Sequence, residues 1–179
     1  MTAKECIMGR RSIRKFQDKP ISHEVLASIV ETASFAPSWK NTQITRYIAV
    51  EGALKDQIAT ECTSLYPGNG QHIMGAPMLI AITILKNRCG YERDGSFTTP
   101  RKDTWQMFDA GIATQSFCLA AHEQGVGSVV LGIFDEAKAA ALLQLPEDRE
   151  LIALVPIGYP AEEPVCPKRK SVEELLSFK

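Results

Sequence analysis

The stretch M-L-I-A-I-T-I-L at residues 78–85 decides the fold class. Ile80, Ile82 and Ile84 recur at every second position, as a strand requires, and the residues between them are mostly apolar too. A strand that is apolar on both faces belongs in the middle of a sheet covered by two layers. Extended back to Ala76, the run reaches about half the length of a membrane span, so no crossing is expected. Toward the C-terminus, residues 86–103 are polar and rich in Gly, Thr and charge, which predicts a surface excursion. Residues 104–124 form the longest helical pattern, with Phe108, Ile112, Gln115, Leu119 and Ala120 along one side and Gly125 at its end. A strand over 128–131, a helix capped by Asp135 through Leu143, and a strand over 151–157 follow.

Toward the N-terminus, Thr2 and Glu5 make a capping-box pattern for a short helix reaching about Gly9. Ser22 caps the next helix, with Leu26, Ile29, Val30 and Ala33 on one stripe, and Pro37 stops it. Tyr47–Val50 reads as a strand, 52–65 as a helix, and Pro67-Gly68-Asn69-Gly70 as a loop. Helices and strands mix without strict alternation. The expectation is an α+β fold with a central mixed sheet flanked by helices: one domain over 1–179, with 160–179 as an extended tail. That tail is Pro-rich, then basic, and closes with a short amphipathic piece.

At 179 residues the chain can bury about 70% of its extended surface, enough for a core without staples. Twenty basic residues against twenty-one acidic ones disfavour nucleic acid as the main partner. Five cysteines without a CxxC argue against a disulfide framework or structural zinc, and His23, His72 and His122 have no carboxylate at ligand spacing. Lys4, Glu5 and the arginines break any signal-peptide core, so a soluble, reducing, cytoplasmic protein is expected. Gly125, Gly127 and Gly132 end a helix and enter a strand, the reverse of the dinucleotide-binding order, and they read as a helix cap and a tight strand entry.

Three segments carry chemistry. Arg10-Arg11-Ser12-Ile13-Arg14-Lys15 crowds cations and a hydroxyl just past a helix end, which suits a phosphate. In an extended segment Arg10, Ser12 and Arg14 would point one way, and Arg11 and Lys15 the other. Lys168-Arg169-Lys170 at the far end of the chain would grip the same phosphate. Pro37-Ser38-Trp39-Lys40-Asn41-Thr42-Gln43 offers loop amides suited to the edge of a heterocycle.

The ordered set of motifs resembles the nitroreductase family of flavin oxidoreductases, from Arg10 to about Val172. It comprises R-R-S-I-R at 10–14, A-P-S-x-x-N-x-Q at 36–43, Asn69-x-x-His72 before Ala76-Pro77, and Asp109-Ala110-Gly111. It continues with Ala121-x-x-x-Gly125-x-Gly127 leading to Leu131-Gly132, and Pro156-x-Gly158-Tyr159-Pro160 before the basic tail. The resemblance implies a three-layer homodimer with FMN at a shared interface, NAD(P)H as donor and a small-molecule oxidant such as a nitro-aromatic or quinone. Carried over, Arg10, Arg11 and Ser12 with Lys168 or Arg169 hold the phosphate. Arg14 and Asn69 face the pyrimidine end of the ring. Pro37, Ser38 and Asn41 come from the partner subunit, and the backbone of Leu131 and Gly132 lies near the flavin N5. No side-chain catalyst and no metal are expected, because the cofactor carries the reaction. His72, where a lysine or arginine is frequent, Ile44-Thr45-Arg46 and Trp39 depart from the common pattern, and they bear on substrate identity. The alternatives are a dedicated reductase or dehydrogenase of one metabolite and a flavin-binding sensor with little turnover.

Overall fold

The computed structural model describes residues 1–179. Its elements run α1 (Ala3–Gly9), α2 (His23–Ala33), a short turn at Trp39–Asn41, β1 (Thr45–Val50), α3 (Gly52–Glu61), α4 (Pro67–Met74) and β2 (Met78–Leu85). They continue with α5 (Thr104–Glu123), β3 (Gly127–Ser128), α6 (Glu136–Leu142), β4 (Arg149–Gly158) and α7 (Val172–Leu175). The strands form one sheet in the order β1-β2-β4-β3, and all three pairings are antiparallel. The α+β class holds, whereas the expected mixed sheet does not. Parallel pairing is confined to the isolated bridge between Ser12 and Ser128.

Residues Met78 to Ile84 of β2 are all buried. Met78, Ile80 and Ile82 pack with Ile29, Ala33, Phe117 and Ala121, under α2 and α5. Leu79 and Ala81 face the other way and pack with Ile58, Ile73, Phe134 and Ala139, under α3, α4 and α6. Each fully buried Ile, Leu or Met side chain stabilises by roughly 1.5–3 kcal/mol before entropy is charged against it.

The expected caps form: Thr2 and Glu5 exchange hydrogen bonds of 3.2 and 2.8 Å, and the Ser22 and Asp135 side chains accept from Val25 and Lys138 N–H. Helix α5 ends in a Schellman arrangement, with Gly125 at φ 75° and the Val126 N–H on the Ala121 carbonyl at 2.8 Å. Its buried side is Ala110, Ala113, Thr114, Phe117 and Ala121, while Phe108 and Gln115 face outward. Phe117 and Ala121 pack there with Ile29 and Ala33 of α2. No helix is long and apolar enough to cross a membrane.

The stretch 67–70, expected as a loop, opens helix α4. Pro67 occupies the first helical position, where its missing N–H costs nothing. Gly70 is required by the neighbouring helix: a Cβ there would lie 2.5 Å from Thr63 Oγ1 and 2.6 Å from the Ala59 carbonyl. Gly70→Ala should therefore destabilise by about 1–3 kcal/mol through overpacking, despite a helix propensity gain of about 1 kcal/mol. Urea unfolding with an unchanged slope reads this, and a stabilised variant would show that α3 and α4 do not meet there.

Candidate functional site

The backbone turns out of α1 at Arg10, and the chain beyond runs extended alongside β3. Ile13 N–H donates to the Ser128 carbonyl at 3.0 Å, and Gln17 N–H to the Tyr159 carbonyl at 2.8 Å. Gly127 permits this approach, because a Cβ there would come within 2.8 Å of the Ile13 side chain. A cavity of about 510 Å³ opens beside the segment, lined by Arg10, Arg11, His122, Gly125, Ser128 and Glu162 among others. Arg11 Nη1 donates to the Met8 and Arg10 carbonyls at 2.6 and 2.9 Å, closing the end of α1. Arg10 Nε is buried and has no acceptor. A buried guanidinium N–H without a partner costs about 1–3 kcal/mol or more, and an anion in the cavity would relieve it.

The expected alternation of side chains holds only from Arg11 onward. Arg11 and Ile13 line the cavity and Arg14 does not, whereas Arg10 reaches it as the cap of α1. Glu162 accepts from the backbone N–H of Arg14 and Lys15 at 2.7 and 3.2 Å, which ties the start of the tail here. Lys168 and Arg169 are exposed further along and do not line this cavity, so one chain does not bring its two basic clusters together. Burial, and then the Arg10 and Arg11 guanidiniums, hold the His122 imidazole below its ordinary range.

A second group lies on the α3, α4 and α6 side of the sheet. The buried Asn69 side chain donates to the Ile133 carbonyl at 2.9 Å. That bond fixes the turn in which Leu131 bridges Leu154 and Gly132 stays exposed. His72, one turn beyond Asn69, is held low by burial and by Arg14, with Glu162 opposing.

The third group, residues 36–43, sits on the α2 and α5 side. Trp39 N–H donates to both oxygens of the buried Asp109 at 2.9 and 3.1 Å, and Gln43 N–H donates to Ser38 Oγ at 3.0 Å. Lys40 Nζ reaches Glu92 at 2.8 Å, and the Trp39 ring lies 4.7 Å from Trp105. Lys40, Asn41 and Gln43 take left-handed φ values of 43, 56 and 47°. Such residues cost about 1–2 kcal/mol each and persist only where their surroundings fix them. Pro37 and Ser38 line a second cavity of about 360 Å³ with Val30, Tyr47 and Ala113, and the buried Trp39 indole N–H has no acceptor.

The structure thus gathers Arg10 and Arg11 with the Ser12 backbone, and Asn69 with the Leu131–Gly132 turn. Pro37, Ser38 and Asn41 stand on the opposite face of the sheet from Asn69. Asp109, which anchors their loop, is thirteen residues before His122 on α5, about 20 Å along the helix. Asp109 and His122 acquire roles that sequence reading did not give them. The signal for Asp109 was a carboxylate in the apolar interior of a helix. For His122 it was an imidazole in the last turn beside a capping glycine.

A family model described as "Nitroreductase family" matches residues 7–159. A protein of Archaeoglobus fulgidus, provisionally named an NADH dehydrogenase/NAD(P)H nitroreductase, is 32% identical over 161 residues, covering 88% of this chain and 84% of the relative. An NADH dehydrogenase of Thermus thermophilus is 26% identical, covering 100% of this chain and 97% of the relative. A provisionally assigned nitroreductase of Desulfovibrio desulfuricans, solved in complex with FMN, superposes with a TM-score of 0.77 at 27% identity. That match covers 98% of this chain and 95% of the other.

Cys89 packs beside the Asp109 anchor, and burial and then that carboxylate push its thiol up to about 12. A raised value leaves the neutral thiol in place at pH 9. Iodoacetamide at that pH should therefore spare Cys89 in the folded protein and alkylate it after unfolding, as peptide mass mapping would show. Rapid labelling of the folded chain would place Cys89 outside the core.

Proposed function

The chain belongs to the nitroreductase family and is an oxidoreductase. We propose that it binds FMN and uses NAD(P)H to reduce nitro-aromatics, quinones or similarly electron-poor small molecules. We propose further that it works in the cytoplasm as a homodimer with flavin sites shared between subunits. The observation that carries the cofactor reading is the buried, unpartnered Arg10 Nε in a cavity that also holds Arg11. Two guanidinium forks suit one terminal phosphate, and no adenine site is apparent, which favours FMN over FAD. The FMN complex of the Desulfovibrio relative and the nicotinamide-linked names of the others support the same reading.

Bound FMN would supply two-electron hydride chemistry between nicotinamide and oxidant. The protein's part is to hold and orient. Arg10 and Arg11 hold the phosphate, with Ser12 beside them. Arg14 places a fixed positive charge, and Asn69 an amide, at the pyrimidine end of the ring. The backbone of Leu131 and Gly132 stands near N5. His72, held neutral, leaves Arg14 as the source of positive charge there.

The shared site is supported by two features. Within one chain the sheet separates Asn69 and Gly132 from Pro37, Ser38 and Asn41, so the loop reaches a ring only from the partner subunit. The tail beyond Glu162 also exposes Val165, Val172, Leu175, Leu176 and Phe178, an apolar set that calls for another surface to lie on. Lys168 and Arg169, carried on that tail, then complete a phosphate site in the assembled dimer.

Protein denatured after reconstitution should release FMN on chromatography, and recovery of FAD or of no flavin would overturn the reading. Arg10→Ala should weaken FMN binding by about 1–3 kcal/mol and leave riboflavin, which lacks the phosphate, unaffected. Fluorescence quenching of each flavin measures both. Mixing inactive Arg10→Ala and Ser38→Trp subunits should restore about a quarter of wild-type turnover, because half the dimers are mixed and each has one intact site. No recovery despite proven exchange would put both segments in one subunit's site.

A further inference from the structure

Beside Arg10 and Arg11 in the phosphate cavity stands a group that no motif of the chain assigns. His122 lies in the last turn of α5. Its Nε2 lies 3.1 Å from the point where a Cβ on Gly9 would sit, so the absent side chain of Gly9 makes the room for the ring at the end of α1. Two basic side chains, an imidazole and an orphaned guanidinium N–H therefore converge on one space. We propose that His122 is a third ligand of the anion held in this cavity and that it takes up a proton from solvent when the phosphate binds. The inference rests on the FMN reading, and it assigns the site a residue and a pH dependence which that reading lacks.

The charges around the ring make the coupling one-directional. From α1 and the segment after it come Arg10 and Arg11, with Met1 also lining the cavity. From the tail come Glu162, tied to the Arg14 and Lys15 N–H groups, and Glu163. On α5 itself Glu123 is the exposed neighbour, and α2 contributes the uncharged Ser28 hydroxyl, bonded to Gln124 at 3.0 Å. Without an anion, burial and the two guanidiniums keep the imidazole neutral. A phosphate dianion cancels the field of both arginines and adds an acceptor. The imidazolium then gains a charge-assisted hydrogen bond, and its place at the helix C-terminus favours a cation.

The sign follows from linkage. A group whose pKa rises on binding makes the ligand bind more tightly at pH below both values than above them. A rise of one unit corresponds to about tenfold in affinity. The phosphate's own second ionisation, near pH 6, acts in the opposite direction, because the monoanion binds less well. Comparison with a variant lacking the imidazole proton separates the two.

The experiment follows the His122 ring by ¹H–¹³C NMR against pH in flavin-free protein, then with inorganic phosphate, riboflavin and FMN in turn. The His122→Gln spectrum assigns the signal. His122 should titrate below the ordinary histidine range in free protein, and upward by at least about one unit with phosphate or FMN, but not with riboflavin. FMN affinity from fluorescence quenching should rise relative to that of His122→Gln as pH falls through the same window. FMN binding with an unmoved His122 titration would overturn the proposal and leave the flavin reading standing. A shift caused equally by riboflavin would also overturn it, because the phosphate would not be the cause. Failure of FMN to bind at any pH would overturn the flavin reading itself, and His122 would lose its ligand with it.

Discussion

The burial of β2 on both faces is the constraint from which the rest of the molecule follows. Because side chains alternate along a strand, Met78, Ile80 and Ile82 bind α2 and α5 to one face, while Leu79 and Ala81 bind α3, α4 and α6 to the other. Every candidate site residue attached to those helices inherits a side of the sheet. The 36–43 loop goes with α2 and α5, and Asn69 and the Leu131–Gly132 turn go with the other layer. In the flavin site proposed above, a planar ring in contact with both sets would draw them from two chains, so the case for a second subunit begins in the pattern of eight residues.

Helix α5 turns the same constraint into electrostatics. Its interior carboxylate, Asp109, accepts two backbone hydrogen bonds from Trp39 and so fixes a loop near one end. At the other end lie Arg10, Arg11 and His122, where the helix dipole favours positive charge. The chain as a whole is close to neutral, with a net charge of −1, so the cavity's character is local.

The parts legible in the sequence were those set by local chemistry. The apolar alternation of β2, the Thr2, Ser22 and Asp135 caps, the Leu26–Ala33 stripe and the glycine end of α5 all depend on residues within a turn or two. What stayed hidden was fixed at a distance. Gly70 reads as a helix breaker until Thr63 and Ala59 show that only glycine fits beneath α3. The mixed sheet failed as an expectation because strand direction depends on how the crossovers pack, and connection length alone does not give it. Phe108 and Gln115 were placed with the helix's apolar side because the true inner side is built of alanines, which carry little periodic signal. Lys168 and Arg169 were assigned with Arg10 on charge and on the family resemblance, and within one chain they lie apart. Asp109 and His122 were visible as residues, but their roles arise only from what packs against them.

The strained loop shows how much of the candidate site is fixed by the fold itself. Lys40, Asn41 and Gln43 hold left-handed backbone that a free heptapeptide would leave, and they are kept there by Asp109, Ser38 and the Lys40–Glu92 pair. Those three restraints lie within the chain, so the loop is shaped before any ligand arrives, and its strain is borne by the fold and not by binding. The groups around the other parts of the site are equally settled. Asn69 is committed to Ile133, Arg11 to the end of α1, and both nearby imidazoles are held neutral by burial and by arginines. Arg10 Nε and the Trp39 indole N–H keep buried donors without acceptors. Under the proposed reading, a protein organised this way would supply position and fixed charge, the two contributions that remain when a cofactor carries the bond-making.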